Sequence, residues 1–267
     1  MRLPVIVQRL VLPSLLVLGL VGCPESGPPA DPPPAPAADA PKPAAPAAAA
    51  EDYGDEPAEH MRHHFADATV IQEAVVRADL EAMRAAAGSL AGHAPLEGLG
   101  DDAKPAIAAV RAAATSAKDA PTLADAAKAL GSLGAACGSC HASRSITPTF
   151  AAVPKPSEDP SLQGHMARHA WAVNRAWEGL VAGDAAGWTK GLNGLAEPPL
   201  APEAFGPNPP EAATAASQTV HELAVTGLSA EDPAARGGLY GDLLAACSTC
   251  HEALGRAPGK GVYTGEQ

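Results

Sequence analysis

The sequence predicts an all-α protein built as two tandem helical bundles. Three observations carry this. Long stretches such as 60–77 hold neither glycine nor proline. Apolar residues recur at helical spacing, as Leu123, Ala127, Leu130, Leu133, Cys137 and His141 do on one stripe. The chain also repeats itself. His60-Met61-x-x-His64 returns 105 residues later as His165-Met166-x-x-His169, and Ala78-Asp79 returns as Gly183-Asp184. Ala135-Ala136-Cys137-x-x-Cys140-His141 returns 110 residues later as Ala245-Ala246-Cys247-x-x-Cys250-His251.

Four helices are expected in each unit. In the first, a helix covers 60–77. Asp79 can cap a second one that runs to about 90. Residues 98–102 form a break, and Pro105 suits the first turn of a third helix ending near 117. Thr122 with Asp125 resembles a capping box and opens the last helix, although Gly131 and Gly134 weaken it by propensity. In the second unit the expected helices are 164–182, 184–195, 211–228 and 231–251. Gly187, Gly191 and Gly194 interrupt the second of these. Gly237 and Gly238 fall inside the last helix or mark its start. A Pro-rich loop spans 196–210.

Four segments follow: a signal peptide at 1–22, a Pro/Ala-rich flexible tether at 23–53, a first helical domain at 54–150 and a second at 151–267. The signal has Arg2 and Arg9 before an apolar run at 10–21, too short to span a membrane by itself. It ends Leu20-Val21-Gly22-Cys23, which resembles the lipobox of bacterial lipoproteins. That resemblance implies removal of 1–22 and lipidation of Cys23. With Pro24 after the cysteine instead of Asp, it also implies the periplasmic side of a bacterial outer membrane. The tether is nearly all Pro, Ala, Gly and acidic residues, so it has little to bury.

The net charge is −12, from 30 acidic and 18 basic residues. That argues against nucleic acid or an anionic lipid surface as partner and fits docking to basic redox proteins. Aromatic residues make up only 3% of the chain. The core must therefore be built from Ala and Leu, or completed by a large apolar group that is not an amino acid.

The chain has five cysteines. Cys23 apart, they form two Cys-x-x-Cys pairs, each followed at once by a histidine. This is the attachment pattern of c-type haem. Two thiols on one helical turn add to the vinyl groups of one porphyrin, and the next histidine, His141 or His251, presents a ring nitrogen to iron. Two covalent haems c are expected, on Cys137 and Cys140 and on Cys247 and Cys250. A redox disulfide does not require the trailing histidine, and a shared zinc site would join pairs that close separate repeats.

Each motif stands near the C-terminus of its unit, and neither His nor Met follows His251. This placement resembles the helical-bundle cytochromes, the cytochrome c′ group and its low-spin relatives, over about 56–145 and 161–256. The resemblance implies that the sixth iron position faces the first helix, with Met there in low-spin members and an apolar residue in five-coordinate ones. The first helices offer His60, Met61 and His64, and His165, Met166 and His169. Our reading assigns His64 and His169, nearly one turn deeper, with Met61 and Met166 as alternatives. Any of the three can reach a haem on that face; the bland alternative makes Met61 and Met166 core residues and leaves His60 and His165 solvated. His63 is expected to be a surface residue, and His93 and His221 to be structural or exposed. Phe65 and Trp171 are expected beside the porphyrin.

The expected function is electron transfer, without catalytic residues, in an exported and membrane-tethered cytochrome. The alternatives are gas binding or sensing at a five-coordinate haem and, less well matched, a dihaem peroxidase.

Overall fold

Short polar side chains set the helix starts. The Ala82 amide donates to Asp79 Oδ1 at 3.0 Å, and the Ala186 and Gly187 amides donate to Asp184, each at 2.9 Å. Thr122 Oγ1 accepts from the Asp125 amide, Ser161 Oγ from Gly164 and Asp232 from Ala235. These bonds satisfy donors that a helix leaves open at its first turn.

The computed structural model describes residues 57–93 and 99–255. The signal peptide, Cys23, the tether and the start of the 98–102 break lie outside the described residues. Among the described residues there are eight α-helices and no strand. They are α1 (Pro57–Val76), α2 (Leu80–Gly92), α3 (Lys104–Lys118), α4 (Leu123–Ser143), α5 (Leu162–Ala182), α6 (Ala185–Leu195), α7 (Glu211–Gly227) and α8 (Pro233–Leu254). Two 3-10 turns, Asp101–Ala103 and Pro202–Phe205, interrupt the connections before α3 and α7. Gly237 and Gly238 lie inside α8, which begins at Pro233.

In each half, successive helices pack on one another and the last returns to the first. The series is α1–α2–α3–α4–α1, then α5–α6–α7–α8–α5. The halves meet along α4 and α8, with further contacts of α4 on α5 and α1 on α8. All eight helices belong to one compact unit. The segment between α4 and α5 lies against the helices, with Phe150 5.1 Å from Phe65 between ring centroids and Trp171 Nε1 donating to the Val153 carbonyl at 2.9 Å. Both aromatic residues expected beside a porphyrin thus have partners in this segment.

The core is rich in Ala and Leu, as the low aromatic content requires, with Trp177, Trp188 and Tyr240 fully buried in the second half. Glycines let the helix backbones approach. At Gly237 a Cβ would stand 2.6 Å from the Gly131 carbonyl oxygen and 2.8 Å from Ala135 Cβ. Both repeats turn from their first helix to their second through a left-handed residue. Gly183 has φ 68° and its counterpart Ala78 has φ 57°, a conformation costly for a residue with a Cβ.

Candidate functional site

Both Cys-x-x-Cys-His sequences are helical, at the C-terminal ends of α4 and α8. Positions i, i+3 and i+4 share a helix face, so each cysteine pair and its histidine lie together. All four cysteines are free. Burial, together with the neighbouring cysteine, pushes the Cys137 and Cys247 thiols up to about 12. At neutral pH these two groups are thiols.

The histidines are held alike in the two motifs. His141 Nδ1 lies 2.7 Å from the Val181 carbonyl oxygen, and His251 Nδ1 lies 2.7 Å from the Val76 carbonyl oxygen. A carbonyl only accepts, so Nδ1 carries the hydrogen in both rings, and in a neutral imidazole Nε2 then keeps its lone pair. An iron-binding imidazole needs this tautomer, fixed by the hydrogen bond of its other nitrogen. Each carbonyl belongs to the opposite half of the chain, near the end of α5 for His141 and at the end of α1 for His251.

The first helix of each half brings its expected ligands into close array. The His60 and His64 ring centroids are 4.2 Å apart, and those of His165 and His169 are 4.1 Å apart. His60 and His165 are buried, at 5% and 3% exposure, which removes the alternative that they are solvated. One helical turn puts each on the same inward face as its partner four residues on. Met61 and Met166 are half-buried beside them. Burial, reinforced by the adjacent histidine, drives both His64 and His169 down to about 3, so both are neutral at pH 7. Nε2 of His64, His165 and His169 is buried without a hydrogen-bond partner.

A third group reaches each pair from the end of α2 or α6. In the first half it is His93, buried, with its ring centroid 5.0 Å from that of His64 and its Nε2 3.0 Å from Asp67 Oδ2. In the second it is Glu197. Its Oε1 lies 3.1 Å from His165 Nδ1 and 3.4 Å from His169 Nε2, and its Oε2 accepts from Arg168 Nε at 2.9 Å. His165, His169 and Glu197 offer ligand atoms all within 4.8 Å of one another, close enough for a metal ion. His221 Nδ1 meets the Glu197 backbone carbonyl at 3.1 Å, a structural role as expected. His63 is partly exposed against Glu59.

Sequence reasoning missed Glu197, Arg168 as its partner, Asp67, and the two carbonyls that orient the motif histidines. Glu197 follows α6 at the head of a Pro-rich loop, where nothing in the residue pattern sets it apart. Backbone carbonyls have no sequence signal.

The residues fit a c-type haem at each motif. Two free cysteines stand one turn apart, an imidazole is held in the ligating tautomer, and a first helix carries imidazole nitrogens buried without hydrogen bonds. An open groove lined mainly by Ala212, Ala215, Ala216, Ala245, Ala246 and Thr249 runs beside the second motif. No family of known proteins, no curated protein and no solved structure matches this chain.

Proposed function

We propose that the protein is an electron carrier with two covalently bound c-type haems, resembling tandem cytochrome c′-like bundles and held by a lipid on Cys23 at the periplasmic side of a bacterial membrane. The observation that carries this is the matched pair of 2.7 Å bonds from His141 and His251 to backbone carbonyls. They leave Nε2 of both motif histidines ready for iron. A bound haem supplies a one-electron couple. The chain supplies Cys137, Cys140, Cys247 and Cys250 as attachment points and His141 and His251 as proximal ligands. The ring order of the helices supports one bundle around each motif.

His64 and His169 are the proposed sixth ligands. Each is neutral at pH 7 and has a buried Nε2 without a hydrogen bond. Low-spin, six-coordinate sites of this kind exchange electrons with little rearrangement, and they bind gases poorly because a strong ligand must first leave.

Visible spectra of the purified holoprotein test the proposal. The expected spectra are low-spin in both oxidation states, with no binding of carbon monoxide. His64→Ala should open the first haem to carbon monoxide, whereas Met61→Ala should not. The reverse pattern would move the assignment to Met61 and Met166. High-spin spectra at both haems would favour gas binding. The His165, His169 and Glu197 cluster gives a second reading of the distal side. One equivalent of zinc retained by the purified haem protein would assign His169 to that ion and leave Met166 for the haem.

A further inference from the structure

The two haem motifs sit at opposite ends of an antiparallel helix crossing. A Cβ on Gly241 would meet Lys128 Cα at 2.8 Å and the Ala127 carbonyl oxygen at 2.9 Å. One on Gly237 would meet the Gly131 carbonyl oxygen and Ala135 Cβ. Later residues of α4 therefore meet earlier residues of α8, and the two helices run in opposite directions. His141 stands ten residues beyond Gly131, and His251 ten residues beyond Gly241. At the rise of an α-helix, the two histidines lie roughly 30 Å apart along this crossing.

Contacts between α1 and α5 give a shorter estimate. Gln72 Nε2 on α1 donates to Asn174 Oδ1 on α5 at 2.8 Å. Four residues further along α1 is Val76, which holds His251. Seven residues further along α5 is Val181, which holds His141. With α1 and α5 also leading to opposite ends, the two carbonyls are roughly 20 Å apart once the offset between helices is added. Each Nδ1 faces the carbonyl of the other half, so each Nε2 faces back into its own half.

From this geometry we infer that the protein is not an internal wire but a carrier of two independent one-electron centres, one at each end. Electron tunnelling falls exponentially with the gap between porphyrin edges, so a partner docked against one haem exchanges with it faster than the distant second haem does. Each site takes one electron from an external reductant and returns it to an external oxidant docked at the same end. This rests on the haem reading above.

Pulsed dipolar electron resonance on the fully oxidised holoprotein tests it, after the visible spectrum has established two haems. The expected interspin distance is about 20–30 Å. After photoinjection of less than one electron per molecule, redistribution between the haems should quicken in proportion to protein concentration, since exchange is between molecules. A distance less than half the expected value overturns the inference with the haem reading intact. So does fast redistribution at a rate independent of concentration. A protein without haem overturns both.

Discussion

Gly237→Ala and Gly238→Ala are neighbouring changes in one helix that should move stability in opposite directions. In a helix interior each alanine gains about 1 kcal/mol of propensity over glycine. At Gly238 nothing lies within 4 Å of the new Cβ, so that gain stands alone. At Gly237 the Cβ meets the Gly131 carbonyl oxygen at 2.6 Å, its carbon at 3.2 Å and Ala135 Cβ at 2.8 Å. Ordinary contacts need about 3.5 Å or more, so α4 and α8 must part by somewhat less than 1 Å. A gap of that size forfeits about a quarter to a half of each dispersion contact along the interface. Overpacking of this kind costs roughly 1–3 kcal/mol, and more where only backbone can yield. We expect Gly238→Ala to stabilise by about 0.5–1 kcal/mol and Gly237→Ala to destabilise by about 2 kcal/mol. Urea unfolding of the holoprotein measures both as midpoint shifts at constant slope. If both variants stabilise alike, α4 and α8 do not cross at these glycines, and the separation of the haem sites loses its support.

Other perturbations test single contacts. Ala78→Gly should stabilise by about 0.5–1 kcal/mol, because it relieves a left-handed alanine at the cost of a freer unfolded chain; thermal melts read this directly. Thr122→Ala should cost about 1 kcal/mol by removing the acceptor for the Asp125 amide, again seen as a lower midpoint. Glu197→Gln should cost about 3 kcal/mol, because Arg168 is left as a buried charge without its carboxylate, and should alter the spectrum of the second haem only. Glu178 is raised to about 7 by burial, against the pull of Arg175, from an ordinary value of 4.5. The folded state thus binds the proton more tightly. The resulting stabilisation is full below 4.5 and lost as pH rises through 7. Glu178→Gln should therefore gain stability relative to wild type as pH goes from 5 to 8, by something of order 1 kcal/mol; parallel denaturation curves at several pH values would refute this.

Much of the fold was legible because its signals are local. Asp79, Thr122 and Asp184 cap helices where a short polar residue precedes a periodic run. Ala78 and Gly183 turn the chain at matched positions. The two Cys-x-x-Cys-His motifs were legible because each is packed into five consecutive residues. What sequence could not show depends on distance along the chain. The expected burden of Gly237 proved to be a requirement of the α4–α8 crossing, since its partner Gly131 lies more than a hundred residues away. Whether His60 and His165 face water or the interior was open in the sequence, and packing turns both inward. Glu197 joins the second histidine pair from a loop without pattern, while His93 fills that place in the first half. Near-identical motifs therefore stand in different electrostatic surroundings.

Covalent haem at both motifs can be read from intact mass and haem staining of protein matured in an exporting bacterial host. The expected result is the processed chain plus two haems, one retained on each motif-bearing peptide after proteolysis, with normal attachment at the second site alone lost in Cys250→Ser. A mature chain carrying two disulfides, or zinc on its cysteines, and no porphyrin would contradict it.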